Sequence, residues 1–407
     1  MGDVREFDVV IWGASGFTGR LVAEYYLAQY GASGELRWAM AGRNEAKLKA
    51  VQKEIGAEGV PLILADSHDR ASLDAMVART RTILTTVGPY AQYGDELLAA
   101  CVAGRAHYCD LSGEPNWMRR TIDQHHEAAR DNGVCIVHCC GFDSIPSDMG
   151  VYYLQQQAKA KKGEFCKHIK YRLIGMSGGF SGGTLASLDG TMAEAKADPD
   201  VRRMLLHPYG LNPRDAMDGP DGRDQQSVVY DEDAGQWTSP FIMALINTRV
   251  VRRSNALADF AYGKDFRYDE SVLTGDGIAG RAKGMAAALS VGVLMLDPKK
   301  SLLRRTIDKF LPDPGEGPSR EKREAGFFAI RLIGLFADGT KMEAKVKGDR
   351  DPGYGSTSKM LGESAVCLAL DGDKLPGPCG VLTPSTAMGE ALLERLQQNA
   401  GLRFELG

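Results

Sequence analysis

The stretch Phe7-Asp8-Val9-Val10-Ile11-Trp12-Gly13-Ala14-Ser15-Gly16-Phe17-Thr18-Gly19 decides the fold. A short apolar run typical of a buried strand leads directly into glycines at a spacing of three, and helical spacing follows up to Gln29. Such glycines let the backbone approach a pyrophosphate, and the helix N-terminus presents free N–H groups to it. We predict a dinucleotide-binding turn, with a glycine-rich turn without a ligand as the alternative. The predicted cofactor-binding residues are Gly13, Ser15, Gly16, Phe17, Thr18 and Gly19.

Strand-like and helix-like segments continue to alternate up to about residue 146. Apolar runs at 36–42, 61–66, 82–88, 107–112 and 134–140 are separated by segments with helical spacing. This alternation predicts a parallel sheet with right-handed crossovers. We therefore predict an α/β protein in which residues 1–146 form a Rossmann-type domain.

The regular alternation of strand-like and helix-like segments ends after this point. HIKYRLIGM (168–176) and FFAIRLIGLFA (327–337) are strand-like but lie far apart, with longer irregular segments between them. Residues 147–382 are predicted to form a second α+β domain with a mainly antiparallel sheet. A C-terminal segment, about 383–407, contains a predicted helix that we expect to pack back on the first domain. The glycine-rich segment 175–184 is either a substrate loop or a connection, and 311–326 is either a surface loop or a lid.

The end of the second predicted strand bears on the choice of cofactor. NAD enzymes usually carry an acidic residue there that binds the ribose 2′-hydroxyl, but this chain has Gly42-Arg43-Asn44. A guanidinium forms charge-assisted hydrogen bonds with a 2′-phosphate, so we predict NADP, with Arg43 and Asn44 as binding residues. Asn44 also has the position of a helix N-cap. Asp66, after the third strand, is predicted to lie near adenine or to serve as a turn residue.

Two loops are predicted to face the nicotinamide half of the cofactor. Val87, Gly88 and Pro89 follow the fourth strand, and Gly141 follows the sixth. In open parallel sheets, ligands bind outside the carboxyl ends of the strands, so both loops reach that edge.

Composition narrows the functional classes. The chain has 407 residues, of which 43% are hydrophobic and 25% charged, and its net charge of -4 gives no indication of a nucleic-acid partner. Eight cysteines form no CxxC pair, which fits a reducing, cytoplasmic location. The consecutive His138-Cys139-Cys140 cannot close a tetrahedral site on one strand, so no metal is predicted.

The longest apolar run raises the question of membrane contact. It covers residues 285–296 and is too short to span a bilayer. A buried helix and an interfacial helix with peripheral membrane contact are both kept as hypotheses, because basic residues follow the run closely.

Several motifs together resemble the saccharopine dehydrogenase-like oxidoreductases, in particular their trans-acting enoyl reductase branch. The motifs are GASGFTG (13–19), AGRN (41–44), TVGPYAQYGDELLAACVAGRAHYCDLSGE (86–114), CGFDSIPSDMG (140–150), PGEGPSREKREAG (314–326), DPGYGSTSKMLGESA (351–365) and GVLTPSTAMGEALLERL (380–396). The resemblance implies a Rossmann domain, use of NADP and a second domain that often supports homodimers. It also implies reduction of a carbon–carbon double bond in polyketide-derived chains by an enzyme that is supplied in trans to a polyketide or fatty-acid synthase.

Catalysis would need a proton donor besides the cofactor. We consider Tyr90, Tyr93, Asp143, Tyr354 and Lys359, and select Tyr90, Asp143, Tyr354 and Lys359 as catalytic candidates, each with a structural role as the alternative. Glu114 is either a contact residue or a helix-terminal acid. The leading hypothesis is an NADPH-dependent reductase of an activated alkene in an acyl-type substrate. Alternatives are a carbonyl or imine reductase and a non-catalytic, lipid-associated NADP-binding protein.

Overall fold

The computed structural model describes residues 5–178, 182–296 and 317–407. Contacts divide the described chain into two units. One contains the described parts of Met1–Ile145 and Gly353–Gly401, together with Gly317, and the other those of Pro146–Asp313, Pro318–Pro352 and Leu402–Gly407. The predicted second domain, 147–382, therefore differs from the structure, because the chain returns to the first unit at Gly353 and leaves it after Gly401.

A seven-stranded, all-parallel sheet forms the centre of the first unit. Its strands are β1 (Phe7–Trp12), β2 (Trp38–Gly42), β3 (Leu62–Leu64), β4 (Thr80–Thr85), β5 (His107–Cys109), β6 (Cys135–Val137) and β13 (Gly380–Leu382), in the order β13-β6-β5-β4-β1-β2-β3. The predicted parallel sheet is confirmed. The edge strand β13 was not predicted, because three residues are too few to show a periodic pattern.

Helices cover this sheet. They are α1 (Phe17–Tyr30), α2 (Glu45–Glu54), α3 (Arg70–Val77), α4 (Tyr90–Tyr93), α5 (Asp95–Gly104), α6 (Pro115–Asp131), α13 (Gly355–Leu370) and α14 (Pro384–Gln398). Helix α13 contacts α1, β1, β4 and β5, and α14 contacts α13 and β6. The late segment of the chain is thus part of the sheet's own packing.

A buried carboxylate joins three of these helices. Glu363 of α13 accepts hydrogen bonds from the hydroxyls of Tyr25 (2.6 Å) and Tyr30 (2.5 Å) on α1. Its other oxygen accepts from Asn399 and pairs with Arg395 of α14. The side chain of Glu363 is fully buried, so these partners replace the water that a buried charge loses.

The second unit contains a mixed, mainly antiparallel sheet, as predicted. Its strands are β7 (His168–Ser177), β8 (Val229–Asp231), β9 (Gln236–Pro240), β10 (Arg267–Gly275), β11 (Phe327–Leu335), β12 (Lys341–Gly348) and β14 (Leu402–Leu406), in the order β14-β12-β11-β7-β10-β9-β8. Among the described strands of this second sheet, only β7 and β10 pair in parallel. On β7, Ile169, Tyr171 and Leu173 are buried, so their face of the sheet forms a core.

The helices of the second unit are α7 (Ile145–Lys162), α8 (Gly182–Ala197), α9 (Pro199–Leu206), α10 (Ala244–Leu257), α11 (Gly277–Leu296) and α12 (Arg320–Glu324). In the segment 311–326, predicted as a loop or lid, the described part carries α12, and residues 311–316 lie outside the described residues. Of the segment 175–184, residues 179–181 lie outside them as well.

The apolar run 285–296 is the second half of α11. The helix begins eight positions earlier than that run. The expectation that this apolar segment is too short to span a bilayer was therefore wrong, because Gly277–Met295 is long and apolar enough by length and composition alone. Only 17% of this apolar segment is buried, and the side chains of Ile278 (90% exposed), Met285 (60%) and Leu289 (64%) point to solvent. The hypothesis of a buried helix is therefore not supported.

Cysteine pairing also differs from expectation. Cys135 and Cys379 form a disulfide across 244 positions of sequence, while the other six cysteines are free and buried. The six are thus packed as small apolar residues. The pairing of Cys135 depends on the unpredicted strand β13, which sequence spacing did not reveal.

Candidate cofactor and active site

The glycine turn after β1 is shaped for close backbone approach. Gly13 has φ +91°, and a Cβ there would lie 2.7 Å from Val87 Cγ2. A Cβ on Gly19 would lie 2.2 Å from the Gly13 carbonyl oxygen, so α1 approaches the end of β1 only because Gly19 lacks a side chain. Among the described residues, a Cβ on Gly16 would lie near this same oxygen alone, at 3.3 Å. Packing against the described residues therefore demands a glycine here less than it does at Gly19.

The turn that leads into α1 is held in place by β2. The N–H groups of Gly13 and Ala14 donate to Ala41 (3.0 and 3.1 Å), and Gly16 donates to Gly13 (2.9 Å). No side chain caps α1 at Gly16, and its first turn carries no acidic residue. Uncapped N–H groups at a helix N-terminus bind anions. Ser15, Phe17 and Thr18 are half-buried along the same turn.

Arg43 is available for an anionic ligand at the end of β2. Its side chain is exposed, and it forms no hydrogen bond or ion pair with any residue of the described ranges. Asn44 has a defined structural role, since its Oδ1 accepts the N–H of Lys47 (2.9 Å) and caps α2. Asp66 accepts the N–H of His68 (2.9 Å) in the turn after β3, which matches the turn alternative.

The loop after β4 lies next to the glycine turn. Thr86 donates its N–H to Trp12 at the end of β1 (3.0 Å), and Val87 donates to Thr85 Oγ1 (3.2 Å). Gly88 is exposed and Pro89 half-buried, and the peptide bond between them is cis. The ends of β1 and β4 thus form one continuous edge.

The loop after β6 places a titratable group at the same edge. Asp143 is half-buried, beside Gly113 of the loop after β5 and Gly141 of its own loop, where added Cβ atoms would lie 3.4 and 3.3 Å from its carboxylate oxygens. Burial, with a smaller contribution from the charge of Asp110, raises the pKa of Asp143 to about 7. Asp143 can therefore hold a proton at neutral pH.

A buried network supports these loops. Asp110 accepts hydrogen bonds from Tyr108 OH (2.9 Å) and Ser112 N (2.9 Å), and lies 2.8 Å from His138 Nδ1. His138 Nε2 lies 3.0 Å from Thr121 Oγ1. Both ring nitrogens of His138 are thereby occupied by protein groups, so this histidine positions the loop instead of facing a ligand.

Tyr90 and Glu114 are committed to internal contacts. The Tyr90 ring is buried and stacks on Trp117, and its hydroxyl donates to Thr85 O (3.2 Å) and accepts from Leu111 N (3.3 Å). Burial raises the pKa of Tyr90 well above its usual value. Glu114 accepts the N–H groups of Tyr90 and Ala91 (2.9 Å each), so it caps α4. This geometry favours the structural alternative for both residues.

The start of α13 meets the two loops of the site. The Tyr354 ring packs edge-on against Phe17 at 4.8 Å, and Thr357 Oγ1 accepts the N–H of Phe142 (3.0 Å). Lys359 is half-buried on the same helix. Tyr93 lies apart from these, against His68. Sequence reasoning missed Thr357, although it lies within the DPGYGSTSKM motif that also carries Tyr354 and Lys359.

Sequence comparisons relate the chain to known oxidoreductases. The family model of the saccharopine dehydrogenase NADP binding domain matches residues 9–137. A putative trans-acting enoyl reductase of Mycobacterium tuberculosis is 44% identical over 406 residues, covering 96% of each chain. A trans-acting enoyl reductase of Mycobacterium bovis is 40% identical over 411 residues, again covering 96% of each. The chain belongs to the trans-acting enoyl reductase family. It is an oxidoreductase with a nicotinamide-dinucleotide-binding domain, as the sequence predicted.

Solved structures show the same fold at low identity. Apo saccharopine dehydrogenase (L-Glu forming) from Saccharomyces cerevisiae has a TM-score of 0.50 and 11% identity, covering 98% of this chain and 99% of the other. Homospermidine synthase from Legionella pneumophila, solved with NAD, has a TM-score of 0.52 and 8% identity, covering 98% and 90%. These likenesses concern the fold alone.

Substitutions at Gly16 and Gly19 should separate effects on cofactor binding from effects on the stability of the fold. We expect Gly16→Val to abolish binding of both NADPH and NADH in calorimetric titration, because the side chain would occupy the position of the pyrophosphate. Its unfolding temperature should stay near that of the parent protein. Gly19→Ala should instead lower the free energy of unfolding by roughly 1–3 kcal/mol through overpacking. Retained binding in the Gly16 variant would contradict the assignment of the turn.

Proposed function

We propose that this chain is an NADPH-dependent enoyl reductase that acts on an activated carbon–carbon double bond in an acyl or polyketide-type substrate. The observation that carries the proposal is Asp143, a half-buried carboxyl group at the carboxyl ends of the strands that follow the cofactor turn. The names of the relatives and the NADP-binding family model support the same reaction class.

The residues of the turn fit a dinucleotide, and Arg43 fits a 2′-phosphate. The N-terminus of α1 lies at this turn without a side-chain cap from Gly16, which favours a pyrophosphate there, and Arg43 has no competing partner among the described residues. A guanidinium binds phosphate oxygens in bidentate fashion. When bound, NADPH supplies the hydride for the β-carbon, so the protein has to supply the proton for the α-carbon.

Asp143 is our candidate for the residue that donates this proton. Its pKa of about 7 keeps a substantial protonated fraction at neutral pH, which an ordinary aspartate would not have. Among the catalytic candidates, Tyr90 has its hydroxyl engaged by Thr85 and Leu111. Tyr354 and Lys359 remain candidates for polarising the substrate carbonyl, because Tyr354 directly precedes, and Lys359 lies on, the helix whose Thr357 holds the loop of Asp143.

The partner of the reaction is proposed from the family. The relatives are named as acting in trans, and we infer that the acyl chain is presented by a polyketide or fatty-acid synthase. Reduction of a carbonyl or imine remains the alternative reaction. Product analysis separates the two, since alkene reduction leaves the carbonyl group intact.

Contact with an anionic lipid surface is a second proposed property, and α11 carries it. Ile278, Met285 and Leu289 expose an apolar stripe, and the charged residues of the helix, Arg281 and Lys283, are both cationic. Burial of exposed apolar side chains in a membrane interface is favourable, and cationic side chains are attracted to anionic headgroups. Such contact would bring the enzyme to apolar substrates.

Arg43→Ala should weaken NADPH binding roughly tenfold or more and leave NADH binding nearly unchanged, because only NADPH carries the 2′-phosphate. Titration calorimetry with both cofactors measures this. Lys49→Ala, which removes an exposed cation from the adjacent helix α2, is the matched control and should change neither affinity. An equal loss for both cofactors in the Arg43 variant would refute the 2′-phosphate contact.

Asp143→Asn should lower the rate of NADPH oxidation with a 2-enoyl thioester about a hundredfold or more, because the amide cannot donate the proton. In the parent protein, kcat/KM should decline as pH rises above about 7, where Asp143 loses its proton. The residual activity of the variant should lack this decline. Glu270→Gln is the matched control, since the pKa of Glu270 is also about 7 but the group is buried in the second unit.

Stability gives the same variant an independent readout. Because the folded-state pKa of Asp143 is raised, its contribution to stability is present at low pH and lost as pH rises towards 7 and above. Asp143→Asn should therefore unfold at a higher temperature than the parent at pH 8, while its activity is lost. A variant that is both inactive and less stable would indicate a structural role.

The stripe on α11 can be tested with lipid vesicles. We expect the protein to co-sediment with vesicles containing phosphatidylglycerol, and the double variant Met285→Glu/Leu289→Glu to lose this, because it places charges on the apolar face. Leu206→Glu, at another exposed leucine (49%), is the control and should still pellet. Absence of pelleting by the parent, or dimer formation through α11 in light scattering, would exclude the lipid contact.

A further inference from the structure

Three potential metal ligands lie together at the amino ends of strands in the first sheet, opposite the candidate active site at their carboxyl ends. His107 begins β5, Cys135 begins β6, and Cys379 precedes β13, so three adjacent parallel strands contribute one ligand each. The pairing register places Gly380 beside Cys135 and Tyr108 beside Ile136, which brings the three residues into one row. Their ligand atoms all lie within 4.8 Å of one another.

We propose that His107, Cys135 and Cys379 form, once the disulfide is reduced, a binding site for one thiophilic divalent cation such as Zn²⁺. Two thiolates and one imidazole are a donor set that zinc favours, with a water molecule as the fourth ligand. Tetrahedral zinc places such ligand atoms roughly 3.5–3.8 Å apart, given Zn–S bonds of about 2.3 Å, and the observed cluster needs only side-chain adjustment to reach this.

The site has two exclusive states. A thiol or phosphine reductant breaks the S–S bond and leaves two thiols, while the reductant takes up the corresponding oxidation. Cation binding then displaces both thiol protons. Because the disulfide uses both sulfur atoms, the oxidised protein cannot bind the cation there.

Local geometry allows access and orients the imidazole. Cys379 and His107 are half-buried, whereas the six free cysteines are buried. His107 Nδ1 accepts the N–H of Cys135 (3.1 Å), which holds the ring beside the first sulfur. A cation bound at Nδ1 would take the place of this hydrogen bond. The other thiols lack these features, so they provide an internal comparison.

Cobalt substitution tests the proposal on the full chain. The protein is reduced with a phosphine, desalted without oxygen and titrated with Co²⁺, then with Zn²⁺ as competitor. We expect thiolate-to-cobalt charge-transfer and tetrahedral d–d absorption at one ion per chain, lost on addition of Zn²⁺. The oxidised protein, which retains all six free cysteines, should show neither band.

Variants assign the ligands. Cys379→Ser should abolish the charge-transfer band, and His107→Gln should weaken Zn²⁺ binding roughly tenfold or more, whereas His125→Gln, a half-buried histidine on α6, should leave it unchanged. Zn²⁺ should also raise the unfolding temperature of the reduced protein only. The proposal is overturned if reduction unfolds the protein, if no band forms, or if binding persists in the Cys379 or His107 variant.

Discussion

The contact between Gly19 of α1 and the carbonyl of Gly13 is the constraint on which the first unit depends. With no Cβ in the way, the helix begins directly above the end of β1. Hydrogen bonds from Gly13 and Ala14 to Ala41 fix the turn to β2. The spacing between the start of α1 and the end of β2, where Arg43 follows, is therefore set by backbone contacts.

Helix α13 makes this edge of the sheet an integrated site. Its start meets the glycine turn through Tyr354 and the β6 loop through Thr357, and its middle is held by Glu363 between α1 and α14. A buried carboxylate is tolerated only where donors surround it, so the position of α13 is specified by polar partners as well as by apolar packing. Because Thr357 of α13 accepts a hydrogen bond from Phe142, these contacts also help to fix the loop that carries Asp143.

The sequence predicted those features that depend on short-range pattern. The strand, turn and helix from Phe7 to Gly19, the remaining strands up to β6 and the exposed Arg43 all follow from residues adjacent along the chain. The return of Gly353–Gly401 to the first unit, and the strand β13 with it, did not, because pairing across more than two hundred residues leaves no local periodicity. For Tyr90 the sequence left a catalytic and a structural role open, and only the three-dimensional structure shows that Thr85 and Leu111 engage its hydroxyl.

The two edges of one parallel sheet have different chemistry for a physical reason. At the carboxyl edge, glycines and short side chains keep backbone accessible, and burial together with the charge of Asp110 raises the pKa of Asp143 to about 7. At the amino edge, the strand starts of β5, β6 and β13 place side chains in register, so that a histidine and two cysteines meet without any sequence motif. Register in a parallel sheet thus assembles residues that spacing along the chain keeps apart. For this reason the disulfide was invisible to cysteine spacing, whereas the cofactor turn, contained within one β–turn–α unit, was not.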